Sequence, residues 1–408
     1  MTVAESAPPL VFDPYDYAFQ ADPYPTYARL RAEAPLFHNE EQDFWALSRH
    51  ADIAAAVRDD ATFSNRMGVS IDRTAWTPHA HLVTSFLALD GAEQQRLRSL
   101  VSRAFTPRRV RELAPRVQQL TEKYFDAAFA DGATHDWIGE VAGRLPMDVI
   151  SEMMGVPEDD RAEVRRQADL VVHREDGVRD VPPRAIEASM WLMDYYAEML
   201  RQRKAHPTDD LTSALLVAEI DGDRLLDSEI TAFLFLMVVA GNETTTKLLG
   251  NALFHLAAHP DQQAQVLADP QQLDLVVPWI EETLRHDTSS QMVARHLLRE
   301  VTVEGVTAPA GAKLVLVLGS ANRDERVFTD PEVFDLHRPK AELAKILSFG
   351  GGRHFCLGAN LARLEARVVL EEFVRRVRHY EVDRDAARRV HSVSVRGFAS
   401  LPVHLELR

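Results

Sequence analysis

The stretch ILSFGGGRHFCLGANLARLEARVVLEEF runs from Ile346 to Phe373 and contains Cys356, the single cysteine among 408 residues. Three glycines, Gly350 to Gly352, precede it. A backbone bare over three residues can take positive φ and approach a flat surface closely. Beyond the cysteine, Leu357, Leu361, Leu364 and Val368 alternate with Arg363, Glu365, Arg367 and Glu371, the pattern of an amphipathic helix. Cys356 falls at or just before the start of that helix. Free backbone N–H groups and the helix dipole favour a thiolate there, which would be a nucleophile, a redox thiol or a metal ligand. The bland alternative is a small buried hydrophobe, the usual fate of a lone cysteine. No Gly-Lys-Ser/Thr follows the glycines, so a phosphate loop is unsupported. His354 lies two residues away, but closeness in sequence does not make it the base of a cysteine nucleophile.

The totals restrict the setting. With 46 basic and 62 acidic residues the net charge is −16, a poor balance for a nucleic-acid binder. One cysteine excludes an internal disulfide framework and a cysteine-rich zinc site, and fits a reducing compartment. The N-terminus has neither a basic nor an apolar leader region. The longest apolar run, ITAFLFLMVVAG from Ile230, is about half the roughly 20 residues needed to cross a bilayer. The expectation is a cytoplasmic protein with no membrane segment.

Residues 1–22 form a proline-rich arm expected to drape over the body. From about 90 to 290 the apolar spacing is helical. Strand signals come later: 299–318 alternates, turns at Pro309–Gly311 and runs apolar from Leu314 to Leu318, and 391–407 reads as a hairpin. The fold class is α+β, mainly helical, with small β-sheets. No linker divides the chain, so residues 1–408 read as one domain.

The spacing Phe349, Gly350, Gly352, His354, Cys356, Gly358 fixes six positions in ten residues. It resembles the cysteine-ligand loop of the cytochrome P-450 superfamily of haem-thiolate monooxygenases, with the bacterial soluble members as the nearest type. That resemblance implies haem b (iron protoporphyrin IX) held by Cys356 between a long central helix and the cysteine-loop helix. Other segments are similar in the same order. In WIEETLRHD, Glu282 and Arg285 match the family's structural Glu-x-x-Arg, with Arg338 as the third member of a buried network. In the apolar helical stretch 233–259, Ala240, Gly241, Glu243 and Thr244 match the oxygen-activating segment. There the resemblance implies a local opening of the helix, a hydrogen-bonding Thr244 at the oxygen position and Glu243 on the proton-delivery path. Arg98, Arg295 and His354 match partners of the haem propionates. Gln94 stands where the family usually has histidine.

By the same resemblance the substrate pocket is lined by Leu236, Val239, Ala240, Gln291, Met292, Val293, Ser394 and Val395, with 67–86 and the helices near 165–200 as the lid. These walls suit a hydrophobic substrate such as a terpenoid, fatty acid, steroid or polyketide, hydroxylated or epoxidised. Ferredoxin and its reductase are the implied electron donors, docking at a basic patch made by arginines 96, 98, 103, 108, 109 and 111. Two rival readings are a peroxide-driven haem-thiolate peroxygenase and a non-catalytic haem sensor or carrier.

Overall fold

The computed structural model describes residues 9–102, 107–130 and 132–408. Arg103 and the first eight residues of the arm lie outside the described residues, as do the side chains of 107 and 109.

The organising element is the central helix Asp227–Ala257. At 31 residues it is about 46 Å long. Its first turn is closed by Glu229, whose carboxylate accepts from the Leu226 amide at 2.8 Å. Apolar residues occupy nearly its whole circumference, so neighbours must cover every side. Helices Leu145–Met154, Pro183–Ala205, Val276–His286 and Ala359–Arg376 do so. The expected break around Ala240–Thr244 is absent: the segment is helical throughout, and Thr244 Oγ1 donates to the Ala240 carbonyl at 2.9 Å.

A five-stranded sheet stands beside this helical body. Its order is Leu36–Asn39, Phe44–Leu47, Lys313–Leu316, Val293–Leu297 and Phe63–Ser64. All pairs are antiparallel except Phe44–Leu47 with Lys313–Leu316. Two apolar clusters cover its faces. One is aromatic and includes Phe12, Tyr24, Tyr27 and Phe44; the other includes Leu36, Ile53, Leu297 and Leu316. The arm belongs to the first cluster. Phe12 is fully buried, and the arm contains a short helix, Tyr17–Ala21, that the proline-rich sequence did not suggest.

Two strand expectations change. The apolar run from Leu314 leaves its strand at Leu316 and enters a helical turn, Leu318–Ala321. The C-terminal segment is not one hairpin. Phe398–Ser400 pairs with Arg388–Arg389, whereas Pro402–Leu407 pairs with Val377–Val382 on one side and Thr134–Asp136 on the other. Alternation marks a strand but carries no information about its partner.

Two polar networks hold the parts in register. Arg285 binds Glu282 through both oxygens, at 2.7 and 2.8 Å, and Arg338 Nε binds Glu282 Oε2 at 3.0 Å; all three are buried. Arg285 also donates to the carbonyls of Asn322, Pro331 and Val333. The second network ties the loop before the first long helices to the link between Glu158–Val172 and Pro183–Ala205. Asp72, fully buried, accepts from both Arg174 (2.6 Å) and the Tyr15 hydroxyl (2.9 Å), and Asp180 accepts from Thr74.

Removing one member of a buried ion pair leaves the others uncompensated, at a cost of about 3–5 kcal/mol. Glu282→Ala is therefore expected to lower unfolding stability by that amount in urea titrations. Exposed Glu163→Ala, whose partner Arg166 is also exposed, should change it far less.

Candidate functional site

The second half of the Glu282 network continues into the cysteine loop. Asn322 accepts from the Leu347 amide at 2.7 Å and donates to Ser348 Oγ at 2.8 Å, and Ser348 donates to the Leu284 carbonyl at 2.6 Å. From there the loop turns on itself: Gly350 N donates to Leu347 O at 2.8 Å and Cys356 N to Phe349 O at 3.0 Å. Arg363 stacks its guanidinium over the Phe349 ring, 4.5 Å from the centroid. The helix begins at Ala359, so Cys356 stands just before it, and the Gly358 and Ala359 amides point at the sulfur.

The glycines act differently from what the sequence suggests. Gly350 has φ +67° and open space where a Cβ would be. Gly351 and Gly352 face protein instead. A Cβ on Gly351 would stand 2.7 Å from Val57 Cγ2, and one on Gly352, at φ +60°, 2.3 Å from the Val57 carbonyl oxygen. They let the loop press against the end of helix His50–Ala56.

Cys356 opens into a cavity of about 260 Å³ whose other wall is the central helix. Phe349, Gly350, Gly358, His354, Arg98 and Arg295 share the cavity with it. Burial pushes the thiol upward, against the amides of Gly358 and Ala359 and the charges of Arg98 and Arg363, so helix-end effects alone do not produce the expected thiolate. A coordinating metal deprotonates a thiol outright. Among the described residues no three His, Cys, Asp or Glu side chains group as a metal site. A metal held by Cys356 with its remaining ligands supplied by a porphyrin fits this loop.

Two arginines and a neutral histidine fit the same guest. Arg295 is buried, makes one hydrogen bond, to Ala294 O, and is pushed down to about 10 by desolvation. Both ring nitrogens of His354 are buried without a hydrogen-bond partner, and burial beside Arg295 and Arg98 takes its pKa down to about 3. Arg98 spends one nitrogen on Phe355 O. Such a cluster calls for anionic groups inside the cavity. Gln94 does not join it: its amide donates to Arg353 O at 3.0 Å and ties its helix to the cysteine loop.

Leu236, Ala240, Gly241, Thr244 and Val293 also line the cavity. Val239 packs into the core instead. Gln291, Met292 and Val395 border a separate small pocket beside Tyr27, where Gln291 bonds the Tyr27 hydroxyl and Thr288 O. Ser394 gives its carbonyl to the Gln291 amide. Val69, Phe86, Ile150 and the hydroxyl residues Thr288 to Ser290 stand in the wall in their place. Glu243 faces the other side of the central helix, 3.1 Å from Lys247 Nζ.

The family model described as Cytochrome P450 (written P-450 here) matches residues 183–403. The cytochrome P-450 123 of Mycobacterium tuberculosis is 54% identical over 408 residues, covering 100% of both chains. The chain belongs to the cytochrome P-450 family. Among solved structures, cytochrome P-450 CYP109Q5 from Chondromyces apiculatus superposes with TM-score 0.86 at 33% identity, covering 97% of this chain and 98% of that one. CYP109E1 from Bacillus megaterium, solved in complex with testosterone, gives TM-score 0.86 at 28% identity, covering 95% and 98%. The fold is the cytochrome P-450 fold, the family is haem-thiolate, and the chain is a cytochrome P-450 monooxygenase.

In this cytochrome P-450 one acid was misread from sequence. Glu365 is buried, lines the cavity, and is pushed up to about 8 by desolvation. The signal was present: Leu361, Glu365, Val368 and Glu372 share one helix face, and all four are buried. The basic patch is also reduced. Arg96 is held by Asp223 and Glu229, Arg108 by Glu112, and Arg98 faces the cavity.

The glycine contacts give a directional test. Gly351→Ala should cost about 1–3 kcal/mol through overpacking, and most of that penalty should vanish in a Val57→Ala background. Gly352→Ala should keep its penalty there, because its clash is with the Val57 backbone. Denaturant midpoints of Val57→Ala, the two single glycine variants and the two double variants measure both.

Proposed function

We propose that this cytochrome P-450 activates dioxygen and hydroxylates or epoxidises a neutral, largely apolar small molecule. One observation carries the reading: Cys356 and Thr244 share a cavity whose wall away from the cysteine has no charged side chain. The whole chain acts as one domain, in the cytoplasm, with ferredoxin and ferredoxin reductase as electron donors.

Haem b bound through Cys356 would supply the redox chemistry: a thiolate ligand pushes electron density onto iron and favours O–O cleavage. The protein binds, orients and delivers protons. Arg98 and Arg295 would neutralise the propionates, and His354 would donate a hydrogen bond to one of them. Gly241 and Ala240 keep the helix surface low where oxygen and substrate meet. Thr244, free to exchange its Ala240 bond for one toward the cavity, holds the water that donates there. Glu243 is the acid behind it. Val69, Phe86, Ile150 and Leu236 exclude bulk water and position the substrate, and the Thr288–Ser290 backbone and hydroxyls are available to one polar substituent. Arg58, exposed beside the cysteine loop, is the basic group a ferredoxin would meet there; Arg353, also exposed, is paired with Asp60.

Reduced protein with carbon monoxide should give the red-shifted Soret band of thiolate ligation, and Cys356→Ala should abolish it; a wild-type spectrum without the band overturns the reading. Thr244→Ala should retain haem and substrate binding while product formed per reductant falls several-fold and hydrogen peroxide rises. Unchanged coupling would remove Thr244 from the proton path.

An unpaired carboxylate is costly in an apolar cavity. Neutral polycyclic ligands such as the testosterone bound by the Bacillus megaterium relative should shift the iron from low to high spin. Carboxylates of similar size should bind at least about tenfold more weakly, about 1.4 kcal/mol. Tighter binding of the carboxylates would exclude the neutral class.

A further inference from the structure

The central helix separates two environments. Ala240, Gly241, Thr244, Thr245 and Leu248 face the haem cavity. Asn242, Glu243, Thr246 and Lys247 face the opposite side, onto a cleft of about 290 Å³. Helix Glu158–Val172 forms the far wall, with Arg165 and Asp169 one turn apart. The ionisable groups bordering the cleft are Arg165, Arg166, Asp169 and His173 from that side, and Glu243 and Lys247 from the central helix. Segment 138–143 and the C-terminal strands contribute only Ile138, Gly143, Val390 and Ala399.

Asp169 and Glu243 border the same cleft with their carboxyl groups close enough to act on each other. Two neighbouring carboxyl groups do not readily ionise together, so one of them retains a proton. Their surroundings differ. Glu243 keeps 4% of its side-chain exposure and has Lys247 at 3.1 Å. Asp169 keeps 48%, with Arg165 Nε 4.0 Å away. Lys247 holds Glu243 down against its burial, and partial burial with the Glu243 charge pushes Asp169 up, moderated by the water that reaches it. The retained proton therefore rests on Asp169, the member in contact with solvent. Asn242 Oδ1 and Thr246 Oγ1 are buried with no hydrogen-bond partner, in residues that border the same cleft, and polar atoms of this kind are where ordered water binds.

We propose that Asp169 is the solvent-side partner of Glu243, passing it the proton that the reaction consumes and drawing a replacement from water in the cleft. The step balances simply. The O–H bond of Asp169 breaks as one forms on a Glu243 oxygen, leaving Asp169 ionised; a cleft water then returns a proton to Asp169, and bulk solvent restores the water. Asp169 acts through Glu243 and is a positioning residue for it. The inference rests on the reading of Glu243 as the acid behind Thr244.

The test starts with haem-loaded wild-type protein and needs no turnover. Infrared difference spectra should show a protonated-carboxyl stretch at pH 7 that is separate from that of Glu365, which is assigned by its loss in Glu365→Gln, and that disappears only well above the usual aspartate range. Asp169→Asn should remove that band and Asp169→Glu should retain it. In turnover, Asp169→Asn should lower coupling several-fold and enlarge the solvent deuterium isotope effect, with Asp169→Glu restoring both. A wild-type spectrum without the band at pH 7, a band unaffected by Asp169→Asn, or a wild-type isotope effect in that variant would each overturn the proposal. The carbon monoxide band separates the two readings: its absence from wild type defeats the monooxygenase, whereas its presence with a failed carboxyl test defeats only the relay.

Discussion

A single carboxylate, that of Glu282, is clamped between the guanidinium groups of Arg285 and Arg338 with none of the three in contact with water. Burying three ions is expensive, and such a cluster persists only when every remaining donor is used. Here the spare N–H groups bind carbonyls of the 322–333 segment, whose Asn322 in turn holds Leu347 and Ser348. The position of Cys356 thus descends, bond by bond, from an ion cluster on helix Val276–His286. Apolar packing alone tolerates sliding, whereas a satisfied polar network has one solution. A metal ligand delivered by a loop needs that uniqueness.

The second constraint is the central helix. Consecutive residues, Glu243 and Thr244, point into different media: one toward a wet, charged cleft and the next toward an apolar cavity. A helix does this without breaking, because a turn of 3.6 residues separates neighbours by about 100°. The acid can be paired beside the charged cleft while the alcohol faces the apolar cavity, and the helix wall keeps bulk water from following the proton.

Much of this was legible in sequence where function is carried by short, chemically unusual strings. The cysteine loop, the Glu282 pair and the Ala240–Thr244 segment have residue types that packing alone does not call for. The substrate wall was less legible. In the segment leading into a strand, the side-chain direction changes at each residue, so Val293 reaches the cavity while Met292 joins the aromatic cluster. Gln291 looked like a polar contact and is instead spent on Tyr27. Val69, Phe86 and Ile150 come from three separate segments whose convergence is a tertiary fact with no local signature. Glu365 was misread because a charge was assumed to mark the solvent face, although its spacing from Leu361 and Val368 placed it inside.

Asp72 and Arg174 close the side of the molecule where the early loop meets the link between the two long outer helices. An apolar seal would gain roughly 25 cal/mol for each Å² covered and would resist opening in proportion. A sealed ion pair behaves otherwise, since parting the two groups returns both to water and recovers the hydration they had given up. What holds the seam shut is therefore less the area it covers than the fit of one carboxylate, Asp72, to Arg174 and the Tyr15 hydroxyl.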